Sequence, residues 1–214
     1  MDRGDCGAGT VLYTANQTDG VGRYSKVWKS NVGDFALTMI LKPHRIEYEQ
    51  LAYVTALAVG AAVLSYNPMM DLQYKWVNDV MISGKKVAGI LLEKYQHDLL
   101  LVGIGINILP KSDVEGINAI GLSELGIKAD YKALLQALLQ KLTDIYISWE
   151  QFGFANIRQQ WLDRAFRLNE EIKVNLPDNQ SIDGVFRTIK IDGRMQLEKA
   201  NGEIVLISAG EVFF

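Results

Sequence analysis

The sequence predicts an α/β (α+β) chain: a mixed, largely antiparallel sheet with packed helices, followed by a small all-β unit. Three observations carry that expectation. Segments of strand character at 10–15, 35–41, 72–76, 80–83, 87–92 and 99–108 flank one long apolar helical stretch. Ser83-Gly84-Lys85 and Gln96-His97-Asp98 read as tight turns between neighbouring strands, the connectivity of an antiparallel sheet and not of a repeating βαβ chain. From about residue 169, short alternating segments are parted by Pro177-Asp178-Asn179, Asp192-Gly193 and Asn201-Gly202, all hairpin signals.

The helical stretch, 46–66, repeats Leu51, Val54, Leu57, Ala58, Ala61 and Leu64 at helical spacing and ends near Asn67-Pro68. Small Ala and Gly residues on its other faces suit close packing on a sheet. A second helix starts near Asp130, a good N-cap, with Leu134, Leu135, Leu138, Leu139, Leu142, Ile145 and Trp149 on its buried side. A third contains Ile157, Trp161 and Phe166, and Met39, Met69, Met70 and Met81 read as core filler. The expected division is an α/β domain over 1–168 and a small barrel or sheet over 169–214.

Composition narrows the function classes. With 214 residues, 49% of them hydrophobic and 22% charged, the chain has the material for a sizeable core. A net charge of −3 argues against a general grip on nucleic acid, which needs surplus Lys and Arg, so any anionic ligand must be held by local cations. One cysteine, Cys6, rules out an internal disulfide framework and fits a reducing, cytoplasmic setting. With only His44 and His97 as histidines, both read as loop residues, no metal site is expected. The acidic, glycine-rich start has no apolar signal core. The uncharged stretch 51–70 is broken by Thr55, Ser65, Tyr66, Asn67 and Pro68 and reads as a buried helix, not a membrane span.

Three runs carry the chemistry. In the first, from Gln17 to Trp28, Gly20 and Gly22 admit close backbone approach, Arg23 and Lys26 offer cationic donors, and Trp28 a flat apolar face. Alone, it reads equally as a surface loop with two solvated cations. It is no dinucleotide fingerprint, because Ser25 takes the third glycine position and no helix follows. In the second, Lys75-Trp76-Val77-Asn78-Asp79, Lys75 ends an apolar strand, where a half-buried ammonium acts strongly on an anion. Asn78 and Asp79 read as ligand-orienting groups or as a turn closed by Asx bonds, and Lys85 and Lys86 as solvated hairpin-tip charges. In the third, Gly103-Ile104-Gly105-Ile106-Asn107, two glycines bare one face of a strand, and the Asn107 amide either reads a base edge or closes the strand. No Ser–His–Asp context is present, and the equipment is that of a site that aligns anions.

In this order and spacing the three runs resemble the biotin protein ligases. The match runs through Gln17-Thr18-Asp19-Gly20-Val21-Gly22-Arg23 with Trp28, Lys75-Trp76-Val77-Asn78-Asp79 with Lys86-Val87-Ala88-Gly89-Ile90-Leu91, and Gly103-Ile104-Gly105-Ile106-Asn107. The segment from Ile191-Asp192-Gly193 to Gly210-Glu211-Val212 resembles the family's SH3-like C-terminal domain. The resemblance implies that ATP and biotin give biotinyl-5′-AMP, whose acyl group passes to a lysine of a biotin carboxyl carrier protein of acetyl-CoA carboxylase or another biotin-dependent carboxylase. Lys75 and Arg23 would be the catalytic residues. Gln17, Gly20, Arg23, Lys75, Gly89, Gly103 and Gly105 would bind biotin, and Arg23, Trp28, Lys75, Asn78 and Asn107 would bind ATP, with Mg²⁺ neutralising the triphosphate. The resemblance also implies a monofunctional enzyme without a DNA-binding domain, and a homodimer paired through the sheet.

Three features depart from the family pattern. Val21 stands where the first loop arginine is usual, Val77 replaces a proline, and the Ser-Thr-Asn segment that helps hold biotin is absent, so the chain reads as starting one strand and one helix late. Two other readings stay open: a catalytically impaired biotin- or adenylate-binding protein, and a lipoate or octanoate ligase or transferase of related fold.

Overall fold

The computed structural model describes residues 6–95, 98–111, 118–177 and 180–213. Six strands, β1 (Val11–Thr14), β2 (Phe35–Leu41), β3 (Leu72–Lys75), β4 (Asp79–Ile82), β5 (Lys85–Lys94) and β6 (Leu100–Ile106), form one sheet in the order β1-β2-β6-β5-β4-β3. Every ladder in it is antiparallel. The only parallel pairings among the described residues are isolated bridges, Tyr74 to Ala165 and Lys86 to Ala119. Ser83 and Gly84 take positive φ values of 49° and 76°, making the tight turn that the sequence signals between β4 and β5. The other expected turn includes Gln96 and His97, which lie outside the described residues, as do Asp178 and Asn179 of the first C-terminal hairpin signal.

One face of the sheet is covered by α1 (Leu51–Leu64), which is buried on nearly every side and accordingly has no polar face. Its small residues set the spacing: a Cβ on Gly60 would fall 2.3 Å from the Tyr74 hydroxyl, so β3 approaches the helix only because that side chain is missing. Against α1 packs α2 (Tyr131–Phe152), capped by Asp130, whose carboxylate accepts from the Ala133 N–H at 2.8 Å. Leu134, Leu138, Leu142 and Trp149 are buried as the spacing predicts, with Leu135, Leu139 and Ile145 half-buried at the flank. The third helix, α3 (Phe154–Leu162), buries Ile157 and Trp161 but ends before Phe166. Phe166 instead follows a segment that pairs with β3: its N–H donates to the Tyr74 carbonyl while the Tyr74 N–H donates to Arg164, both at 2.8 Å. Of the methionines, Met39 and Met81 are core residues, whereas Met69 is 89% exposed in the turn before β3. No helix among the described residues is long and apolar enough to cross a membrane.

The C-terminal strands β7 (Glu171–Asn175), β8 (Ser181–Ile189), β9 (Met195–Glu198), β10 (Ile204–Ile207) and β11 (Glu211–Phe213) form a second antiparallel sheet, ordered β10-β9-β8-β7-β11. Gly193 and Gly202 supply the positive φ that two of its hairpins need. The expected barrel is here a sheet with β10 and β11 at its edges, and no ladder among the described residues closes it. Its inward face is continuous with the main core through Phe186, which meets Trp161 edge-to-face at 6.5 Å.

Candidate functional site

The outer face of the six-stranded sheet carries a cavity of about 1030 Å³. Of the residues singled out from the sequence, Gln17, Arg23, Trp28, Lys75, Asn78, Gly89, Gly103, Gly105 and Asn107 all line it. Gly20 does not. It is buried behind the loop, where its carbonyl accepts from the Trp28 N–H at 2.8 Å and a Cβ would strike the Trp28 carbonyl at 2.5 Å. Its absent side chain lets the loop fold back on itself and so places Trp28.

The glycine floor is built by register. Gly105 pairs with Gly89 across β6 and β5, and Gly103 lies two residues along the same face. The Trp28 ring rests on this floor: a Cβ on Gly105 would fall 2.6 Å from its Cε2, and one on Gly89 2.9 Å from its Cζ3. Trp28 thus covers the biotin floor that the resemblance implies, in addition to bordering the region assigned to adenosine. Asn107 is 3% exposed; its amide donates to the Lys86 carbonyl at 3.2 Å and its backbone carbonyl accepts from Leu122, so it ends β6 and fixes the β5 hairpin.

At the other end stands the cationic group. Lys75 closes β3 half-buried beside Asp79, Lys86, Glu211 and Lys26. Burial, the largest effect, pulls its pKa below the ordinary lysine value; Asp79 and Glu211 oppose this and Lys86 and Lys26 reinforce it. Asn78 turns its carbonyl oxygen to Arg23 (3.4 Å) and donates its amide to the Ile90 carbonyl (2.9 Å). The Trp76–Val77 peptide between these groups is cis. Arg23 also donates to the Gly210 carbonyl at 3.1 Å and to the Tyr24 hydroxyl at 3.2 Å.

Two contributors were not foreseen. Lys86, expected as a solvated hairpin charge, instead pairs with Asp79 at 2.7 Å and lies 5.1 Å over the Trp28 ring. A bulge causes this: Val80 pairs with Ala88 but Met81 with Lys86, so Val87 and Ala88 both point inward and Lys86 is turned to the cavity face. Lys85, which the same expectation covered, is exposed. The second contributor is the C-terminal sheet, whose Gly210 and Glu211 border the cavity, Glu211 pairing with Lys26. Within an acidic chain, six cations, Arg23, Lys26, Lys29, Lys75, Lys86 and Lys111, line one cavity with four carboxylates, Asp19, Asp79, Glu93 and Glu211. Among the described residues no three His, Cys, Asp or Glu side chains gather as a metal site.

A glycine floor that runs into a group of cations has the equipment of a site that aligns anions, and residues 5–108 match the biotin/lipoate A/B protein ligase family. Residues 168–214 match the biotin protein ligase C-terminal domain. The chain is 34% identical to the biotin–[acetyl-CoA-carboxylase] ligase of Paracoccus denitrificans, over 92% of this chain and 87% of that one. It is 30% identical to the Mycobacterium tuberculosis protein of the same name, over 95% and 78%. Among solved structures it resembles the biotin protein ligase of Aquifex aeolicus in complex with biotin and ATP, with a TM-score of 0.88, 29% identity, and 98% of this chain and 90% of that one covered. The chain belongs to the biotin protein ligase family.

Proposed function

We propose that this chain joins biotin and ATP to give biotinyl-5′-AMP and passes the biotinyl group to a lysine of a biotin carboxyl carrier protein, that of acetyl-CoA carboxylase or another biotin-dependent carboxylase. The carrying observation is the continuity of the glycine floor under Trp28 with the cations Lys75, Arg23 and Lys86 in one cavity. In this reading residues 1–168 form the catalytic unit and 169–214 a cap that reaches its rim, the setting is cytoplasmic, and a homodimer pairs through the sheet.

Biotin lies over the Gly103 part of the floor and against the Trp28 ring that covers Gly105, with its ureido end toward Gln17, and its carboxylate faces Lys75 and Arg23. A carboxylate oxygen attacks the α-phosphorus, the Pα–O–Pβ bridge breaks, and pyrophosphate leaves as the mixed anhydride forms. Two anions must meet, so the contribution of these side chains is alignment and neutralisation. Lys75 and Arg23 address the charge growing on the α-phosphoryl oxygens, while Trp28, Asn78 and Asn107 border the nucleotide. Mg²⁺ enters as part of the substrate, MgATP. The carrier amine then attacks the acyl carbon, forming an amide as AMP departs and a proton passes to solvent.

Incubation with ATP, biotin and an apo carrier domain yields pyrophosphate and a biotinylated lysine by mass spectrometry if this reading holds. Biotin binding without pyrophosphate release assigns the chain instead to adenylate-site binding, a reading that Val21 favours: it lines the cavity 56% exposed, at the position where the resemblance implies a loop arginine. Preferential adenylation of lipoate or octanoate in competition assigns it to that chemistry.

The floor yields its own prediction. Gly105→Ala pushes the Trp28 ring aside, and because that ring faces the cavity the fold tolerates the shift. Calorimetry is expected to show biotin affinity lower by about tenfold or more, a loss of roughly 1.4 kcal/mol or greater, with the melting temperature nearly unchanged.

A further inference from the structure

Lys75 is held by more than its own strand. The next residue, Trp76, is 4% exposed, and its indole N–H donates to the Tyr53 hydroxyl at 2.8 Å. Tyr53 lies on α1, 1% exposed, and its hydroxyl donates onward to the Gly193 carbonyl at 2.6 Å. Gly193 is the tip of the β8–β9 hairpin in the C-terminal sheet, and its positive φ turns that carbonyl toward the helix. One turn earlier on the chain Gln50 makes a parallel connection, donating to the Ile191 carbonyl at 3.0 Å and accepting from the Trp149 indole at 2.8 Å. The ring of Tyr53 is fixed edge-on between Phe154 and Trp161, at 5.2 and 5.3 Å.

The Tyr53 hydroxyl therefore accepts one hydrogen bond and donates one, both inside the core. A buried polar group so placed is geometrically exacting, because loss of either partner leaves an unsatisfied donor or acceptor. The chain of bonds runs from the hairpin of the second sheet, through a helix, to the residue beside the cavity's half-buried lysine. Of its members only Trp76 borders the cavity; Tyr53 and Gly193 do not.

We propose that Tyr53 is a positioning residue for biotin activation: its hydroxyl couples the β8–β9 hairpin to Trp76 and thereby sets the place of the Lys75 ammonium. The inference rests on the role given to Lys75 above. Its consequence is that the C-terminal sheet acts on the chemistry from two sides, at the cavity rim through Gly210 and Glu211 and from behind through Gly193 and Tyr53.

Tyr53→Phe keeps the ring and removes the hydroxyl, and Trp76→Phe removes the donor from the other side. In full-length protein well below its melting temperature, each variant is expected to lower kcat for pyrophosphate release about tenfold with KM for biotin and ATP within about twofold, the signature of a displaced transition-state group. The double variant should lose no more than the worse single one, because both break the same chain of bonds. Hydrogen exchange read by mass spectrometry supplies an arm independent of turnover: in Tyr53→Phe, exchange should rise in residues 74–79 and in 190–194 together. A kcat equal to wild type overturns the proposal and leaves Tyr53 a structural residue, as does faster exchange confined to 190–194. If wild-type protein releases no pyrophosphate, the ligase reading fails on its own, and the exchange pattern alone decides whether Tyr53 couples the hairpin to the Lys75 strand.

Discussion

Lys75→Met is expected to lower the rate of biotinyl-AMP formation on the order of 10²–10³-fold, the loss that accompanies removal of a preorganised donor from developing negative charge. The substitution keeps an unbranched side chain only one atom shorter and so most of the packing of the stem at the end of β3, which separates the charge from the burial of the stem. Stopped-flow detection of pyrophosphate at saturating biotin and ATP measures it; a rate within about fivefold of wild type would place the transition-state charge elsewhere. The pH profile gives a second signature. The protonated amine is the active form, and burial lowers its pKa from the ordinary 10.5. Activity therefore declines with rising pH at a point below that of an exposed lysine, and the Met variant lacks this limb. Asp79 opposes the shift, so Asp79→Asn should move the limb to still lower pH.

The fold was more legible than the site, for a physical reason. Strand identity follows from side-chain alternation and local turns, and β2 occupies the expected residues 35–41 while the Ser83-Gly84 turn falls where its sequence places it. Asp130 likewise announces α2 through a single local hydrogen bond. The site depends on contacts far apart in sequence. Arg23 reaches partners 55 and 187 positions away, and no local pattern names Asn78 or Gly210 as those partners. Lys86 reads from the sequence as a hairpin-tip charge because it follows the Ser83-Gly84 turn so closely, and nothing local signals the bulge at Val87 that turns it to the cavity face. Phe166 continued the apolar spacing of α3, but the chain exchanges helix for pairing with Tyr74, a preference set by β3 and invisible in the segment itself. Trp28 was recognised as an aromatic wall; its seat on Gly105 follows only from the loop closing through Gly20.

Asp34→Ala is expected to be the most destabilising of the substitutions considered, through a device outside every recognised motif. Asp34 is 3% exposed just before β2, and one carboxylate oxygen accepts from the Ile108 and Leu109 N–H groups, both at 2.9 Å. The other oxygen accepts from the Asn31 N–H at 2.7 Å and pairs with Lys111 at 2.5 Å. Lys111, also 3% exposed, donates further to the Lys29 carbonyl at 3.3 Å, next to Trp28. A single carboxylate thus joins the segment after Trp28 to the exit of β6. Removing it strands a buried ammonium and three backbone donors, and breaking a buried pair from one side costs about 3–5 kcal/mol. For a chain of this length that corresponds to a fall in melting temperature of roughly 6–20 °C. Lys111→Met should cost less, because the carboxylate keeps its three N–H donors whereas the alanine variant leaves the ammonium only the Lys29 carbonyl. Differential scanning calorimetry of both variants checks the order, and Lys111→Met melting below Asp34→Ala would contradict it. If the Lys111→Met variant also binds biotin more weakly at temperatures where it is fully folded, the clamp reaches the cavity through the backbone of Lys29 and Trp28.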